Sequence, residues 1–378
     1  VSFVLDEHRL YLSDTVRLDA FQRALAEVVR PGDSVLDLGA GTGVLSFFAC
    51  RAGAAKVYAI ESTALVEEAR AIAALNGFED RVVFYREWST AAEIPERVDV
   101  VVTDQIGPLG FEVGLAEFLA DAVRRFLKPG GILVPHTVRL EAAPVEEPRV
   151  REAIGFWRDP IRGLDCSPVF ERAQSNGYVQ QLAPDRLLAE PAGMASFSAA
   201  PPPNEVARGE ATFVATRAGV LDGAAMWFRA DLSPSVSMTN SPVAAAHIQR
   251  RQMVLPMTPP VTVERGDRIR IVFAARLIDV VIDWQLEVCA PDGRVRATCR
   301  RSTFEGLLLS AEDLAHTNPN RVPQLTRRGL ARRTVLELCD GRPLHDIEQA
   351  VLARHADLFG SAASASVFIV DVLRHNAR

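Results

Sequence analysis

The sequence predicts a nucleotide-binding α/β sheet followed by a β-barrel domain and a small C-terminal helical domain. Three stretches carry this reading. Ser34 to Glu61, SVLDLGAGTGVLSFFACRAGAAKVYAIE, runs strand, glycine loop, helix, strand, with an acid closing the second strand. From Ala211 to Arg301, short alternating runs are separated by turn residues, as in a barrel or sandwich. From Leu325 onward, apolar residues recur at helical spacing.

Taken in order, residues 1–31 end in an amphipathic helix, Leu18 to Val29, stopped by Pro31-Gly32. Strand and helix then alternate. Ala64 to Asn76 reads as helix, Val82 to Tyr85 and Val98 to Thr103 as strands, and Leu115 to Phe126 as helix. Leu127 to Gly131 reads as a turn feeding the strand Ile132 to Val134. This alternation over 32–142 argues a mostly parallel sheet. Ligands of such sheets sit outside the carboxyl ends of the strands, which puts Gly39 to Gly43, Glu61, Glu87 to Ser89 and Asp104 at one rim. Residues 143–305 follow as the barrel domain. Its stretch 153–193 is irregular, and Ala199 to Pro203 is a stiff break. Residues 306–378 form the last domain.

Composition excludes several classes of function. The chain has 378 residues and a net charge of −6, so nothing draws it generally to nucleic acid or an anionic membrane. No apolar run approaches about 18 residues, and no signal peptide is visible. The five cysteines show neither a CxxC pair nor metal spacing, and Cys289 and Cys299, flanking a hairpin turn, read as free thiols. A soluble cytoplasmic protein without a metal is expected.

The glycine loop discriminates between nucleotides. Gly39, Gly41 and Gly43 have GxGxG spacing, and Val44 stands where a dinucleotide loop has its last glycine. Asp37 just before the loop suits a cationic ligand better than a pyrophosphate. S-adenosylmethionine carries a sulfonium and an ammonium and no phosphate, and Glu61 can accept its ribose hydroxyls. An NAD site or a cofactor-free turn are the competing readings of this stretch alone.

The order of parts resembles the protein arginine methyltransferases, class I S-adenosylmethionine-dependent enzymes with a Rossmann-like sheet. The resemblance covers roughly residues 1 to 300. His8, Leu12, Asp14, Val16 and Arg17 match the family's N-terminal signature, and VLDLGAGTGVLSFFACRAGAAKVYAIE its cofactor motif. VDVVVTDQIG and LKPGGILVP occupy the places of the catalytic loop and the following strand. FWRDPIRGLDCS looks like the family's dimerisation arm. Ser241-Pro242 followed by His247 resembles its Thr-His-Trp loop, with Ile248 in place of the tryptophan.

The resemblance implies a cofactor side made of His8, Arg17, Asp37, Gly39, Gly41, Thr42, Gly43, Glu61, Ser62, Trp88 and Ser89. Arg17 would grip the cofactor carboxylate, Glu61 the ribose, and Trp88-Ser89 would lie near the adenine. On the acceptor side the family uses two glutamates. Here they stand as Asp104, one methylene shorter, and Glu112. Such a pair can grip and polarise a guanidinium, a poor nucleophile because its charge is delocalised. Alternatively, Asp104 caps a turn and Glu112 starts a helix. His247 with Asp14 resembles the family's His–Asp pair, a route for the released proton. The implied reaction is methyl transfer to an arginine guanidino nitrogen in a peptide, a protein or free arginine. A different small-molecule or natural-product acceptor stays open, as does a non-catalytic S-adenosylmethionine-binding protein. A homodimer is implied by the arm. LELCDGRPLHDIEQAVLARH in the tail resembles small winged-helix domains that bind leader peptides in natural-product biosynthesis; a helical packing or dimerisation appendage is the competing reading.

Overall fold

The computed structural model describes residues 4–202, 205–308 and 320–377. Pro203 of the stiff break and residues 309–319 of the C-terminal domain lie outside them. The chain divides into two compact units, one up to Leu307 and one from Leu308.

Two helices precede the sheet, α1 (Val4–Ser13) and α2 (Thr15–Val28). Sequence spacing pointed only to the second. The first is short and mostly exposed, so its apolar pattern is weak. Asp14 separates them and caps α2, its carboxylate accepting from Arg17 N at 3.2 Å. Phe21, Ala24 and Leu25 on α2 are fully buried.

The sheet is entirely parallel. Its strands are β1 (Ser34–Leu38), β2 (Lys56–Ile60), β3 (Val82–Tyr85), β4 (Val98–Thr103) and β5 (Leu127–Val134), in the order β3-β2-β1-β4-β5. β1 and the end of β4 are buried residue by residue, as continuous Val/Leu runs covered on both faces should be. Strand order reverses between β1 and β4, so the crevice for a ligand opens past Leu38 and Thr103. Helices α3 (Val44–Ala52), α4 (Leu65–Leu75) and α5 (Leu115–Arg125) follow β1, β2 and β4. The stretch Leu127 to Gly131, read as a turn, is instead the first part of β5. It pairs β4 irregularly, with a register shift between Val98 and Val100.

The next strands are antiparallel and form two sheets. One is β7 (Tyr178–Gln180), β12 (Gln252–Val263), β10 (Gly219–Asp231), β6 (Thr137–Val145) and β8 (Ala192–Ser198), with β11 (Ser237–Thr239) on β10. The other is β15 (Val295–Ser302), β14 (Val281–Cys289), β13 (Arg268–Arg276) and β9 (Val206–Val214). In β13 and β14 every second residue is buried, the period-two signature of one face turned to a core. The sheets meet where β8 passes β9. Gly209 is required there, because a Cβ would run into the Met194 carbonyl oxygen. The Trp284 indole ties them again, donating to Pro256 O at 3.0 Å. Between β6 and β7 lie α6 (Pro148–Gly155) and α7 (Ser167–Ala173), on either side of residues 156–166. All five cysteines are free thiols.

The second unit contains α8 (Arg327–Leu338), α9 (Leu344–Arg354) and α10 (Ala362–Asn376), packed around Ala331, Val335, Ile347, Val351 and Ile369. No strand accompanies them among the described residues, so the wing of a winged helix is not found there.

Candidate active site

A cavity of about 620 Å³ opens at the carboxyl ends of β1 and β4. α1 and α2 wall one side with His8, Tyr11, Asp14 and Arg17. The glycine loop walls another with Gly39, Gly41 and Thr42. The loop after β4 contributes Asp104 to Pro108, and the segment before β12 contributes Gln249, Arg250 and Arg251.

The glycine loop works by close approach. Gly39 and Gly41 have positive φ, and a Cβ on either would strike the Gln105 side chain or the His8 ring. Glu61, at the end of β2, is buried and folds back on the loop, accepting from Gly41 N at 3.0 Å and Thr63 N at 2.8 Å. It therefore holds the loop in shape. Asp37 is fully buried, with Ser46 Oγ donating to it at 2.7 Å. Burial raises its carboxyl to about 7, and the neighbouring charges of Glu61 and Asp104 push the same way.

Arg17 pairs with Asp104 in a buried ion pair. It also donates to Tyr11 O at 2.6 Å and lies 5.2 Å from the centre of the Tyr11 ring. Three polar atoms here are buried without a hydrogen-bond partner among the described residues: Arg17 Nε, Asp104 Oδ1 and Asp37 Oδ1. Such groups carry a desolvation cost that a polar ligand relieves. A cluster with more carboxylates than cations, holding one free guanidinium N–H, fits a ligand that carries both positive charge and a carboxylate.

The loop after β4 is pinned by Ile106, Leu109 and Phe111, all essentially inaccessible. Asn240 of the barrel domain donates to Pro108 O at 3.0 Å and so fixes the loop from outside. Glu112 does not line the cavity. Its carboxylate accepts from Leu109 N at 2.7 Å and Phe111 N at 3.1 Å, and it lies directly behind Gly107, which does line it. A Cβ on Gly107 would come within 2.6 Å of that carboxyl group, so only glycine leaves room for the acid behind the wall. Burial raises the Glu112 pKa against three backbone hydrogen bonds and the charge of Arg250.

The expected His247–Asp14 pair does not form. Asp14 Oδ2 accepts from Gln249 N at 2.6 Å, while the His247 ring contacts Ala244 O at 3.1 Å and lies off the cavity lining. The cause is register. A turn at Ser241–Ala244 and the bond from Ile248 N to Thr239 O bring Gln249, two residues beyond the histidine, to Asp14. Glutamine takes up no proton. Ser62, Trp88 and Ser89 also lie off the lining, with Trp88 57 % exposed. Tyr11, Gln105, Gln249 and Arg250 were not anticipated. Tyr11 was findable, because it stands three residues after His8 and so shares its helix face. The others depend on loop paths that no spacing encodes.

Comparison with known proteins agrees with this geometry. Residues 20–135 match the ribosomal protein L11 methyltransferase (PrmA) family. Protein arginine N-methyltransferase 6 of Xenopus laevis is 31% identical over 249 residues, covering 62% of this chain and 73% of that protein. The Xenopus tropicalis protein of the same name is 30% identical over 277 residues, covering 69% and 81%.

The chain belongs to the protein arginine N-methyltransferase family.

Solved structures agree on the fold. The Trypanosoma brucei PRMT1 enzyme-prozyme heterotetrameric complex with AdoHcy has a TM-score of 0.67 at 20% identity, covering 78% of this chain and 97% of that one. Arabidopsis thaliana protein arginine methyltransferase 10, in an open conformation, has a TM-score of 0.68 at 23% identity, covering 79% and 97%. This methyltransferase is thus an S-adenosylmethionine-dependent enzyme, and the excess of carboxylates around its glycine loop suits a cationic methyl donor. No group of side chains that could hold a metal occurs among the described residues.

Proposed function

We propose that this methyltransferase transfers a methyl group from S-adenosylmethionine to a guanidino nitrogen of arginine in a peptide, a protein or free arginine. The observation that carries the reading is Glu112, a partly buried carboxylate held by backbone N–H groups behind the glycine wall of the cavity. S-adenosylmethionine supplies an electrophilic methyl on a sulfonium. Arg17 Nε and the His8 side offer contacts to its amino-acid part, and Glu61 keeps the glycine loop in position. Asp104 holds Arg17 with one oxygen and leaves Oδ1 for the acceptor cation. Glu112 accepts a guanidinium N–H, fixes its direction, and takes the proton released. Its raised pKa makes it a better base than an exposed glutamate. Ile106, Leu109 and Phe111 around it are buried, and such apolar surroundings strengthen both interactions.

The adenine end of the donor lies toward Trp88 and Ser89, outside the cavity lining. The arm, with Phe156 and Leu164 more than half exposed, docks on a second copy to give a homodimer. The unit beyond 306 binds the leader segment of a peptide acceptor, within natural-product biosynthesis in the cytoplasm. Support for this last role is the tail's resemblance to leader-binding domains.

The test is label transfer from methyl-labelled donor to an arginine peptide and to the same peptide with lysine at each arginine. Incorporation into the first alone supports the reading. Equal incorporation into both, or none, contradicts it.

A further inference from the structure

Two cations on the cavity wall have no part in the reaction described so far. Arg250 and Arg251 both line the cavity, just before β12. The Arg250 guanidinium lies 5.9 Å from the centre of the Tyr11 ring, and its charge reaches Glu112. Neither side chain is ion-paired among the described residues, in contrast to Arg17 on Asp104. Their backbone is nevertheless fixed. Arg250 N donates to Ile248 O at 2.8 Å, Gln252 Nε2 to Arg250 O at 3.2 Å, and Asn240 Nδ2 to Arg251 O at 3.0 Å.

An acceptor guanidinium approaching Glu112 therefore meets two like charges carried on a fixed stretch of backbone. Of the acids that line the cavity with them, Asp104 is held by Arg17, Asp14 by the Gln249 N–H and Glu7 by the Tyr11 hydroxyl, and none is ion-paired with either arginine. A carboxylate on the acceptor, a few bonds from the guanidinium, removes this repulsion and gains charge-assisted hydrogen bonds. We infer that Arg250 and Arg251 select acceptors in which the methylated arginine carries a carboxylate close by. The inference rests on the arginine reading above. The carboxylate has two sources: an acidic residue beside the arginine in a peptide, or the α-carboxylate of free or C-terminal arginine.

The experiment uses the full chain and compares kcat/KM for one arginine peptide flanked by Glu, by Gln or by Lys, and for free arginine against argininamide. The Glu-flanked peptide should exceed the Gln-flanked one by about tenfold, mainly through KM, with the Lys-flanked one poorest. If the α-carboxylate is the source, arginine should exceed argininamide by a similar factor. In the Arg250→Gln/Arg251→Gln double variant the preference should collapse toward unity, and the Arg250→Lys/Arg251→Lys variant should recover part of it. Equal turnover of all flanks together with equal turnover of arginine and argininamide overturns the inference. So does a preference that survives the double variant. In both cases arginine is still labelled, so the underlying reaction stands. Label found only outside arginine, or nowhere, removes both.

Discussion

Glu112 and Gly107 act as one unit: an acid held by its own loop, behind a residue with no side chain. Glu112→Gln should lower kcat by about a hundredfold or more, with S-adenosylmethionine affinity by calorimetry unchanged. Gly107→Ala should produce a similar loss while leaving the acid in the sequence, since the added methyl displaces its carboxyl group. A Gly107→Ala enzyme with full activity would show that Glu112 works from another direction. Asp37 gives a pH signature. Its pKa rises from an ordinary 3.8 to about 7, so between these values the folded state binds more protons than the unfolded chain. Its contribution to stability is therefore present below pH 3.8 and is lost as pH climbs to about 7, by on the order of 4 kcal/mol at most. Asp37→Asn should flatten the unfolding free energy over that window. Affinity for S-adenosylmethionine should rise as Asp37 ionises, and that for S-adenosylhomocysteine, which lacks the sulfonium charge, should rise less. The glycine pattern and Asp37 were legible in the sequence because spacing alone reveals them. The pairing of Asp104 with Arg17 was not, because it joins a helix to a loop 87 positions apart, as their residue numbers give.

At the scale of elements, α2 is clamped to the barrel domain at both ends. Asp14 caps the helix and binds Gln249 N, and Glu27 near its other end accepts from Ser233 Oγ at 2.5 Å and Ser235 Oγ at 2.8 Å. Asp14→Ala removes a cap and this tie together. It should cost about 1–2 kcal/mol in denaturant unfolding and weaken donor binding, because Arg17 stands in the same first turn. His247→Ala should leave kcat within about twofold, as expected of a side chain outside the cavity with one backbone contact; a large loss would restore it as a proton route. Strands β3 and β4 were read from sequence to the residue, because buried Val runs and their turn signals agree. Helix α1 and the first half of β5 were missed for opposite reasons. The one lacks a buried stripe, and the other carries Pro-Gly-Gly inside a strand that tolerates them only through a register shift.

Over the whole molecule, each unit has its own core, so the chain ending at Leu307 should unfold cooperatively with the midpoint of the first unit in the full chain. If the second unit recruits a leader, this truncation should raise KM for a leader-bearing peptide and not for a short one. Equal KM values would remove the leader role. Sedimentation of the full chain, with and without Phe156→Glu and Leu164→Glu, tests the dimer, which the substitutions should dissociate. The parallel α/β plan and the barrel were legible because they follow from periodicity over many residues. The helical character of the tail was legible too, while its partner is not encoded in any pattern. The central claim is the destination of the methyl group, and tandem mass spectrometry of an arginine peptide after incubation with methyl-labelled S-adenosylmethionine tests it most directly. The account predicts label on a guanidino nitrogen, lost with Glu112→Gln; label on any other atom, or on arginine undiminished in that variant, would contradict it.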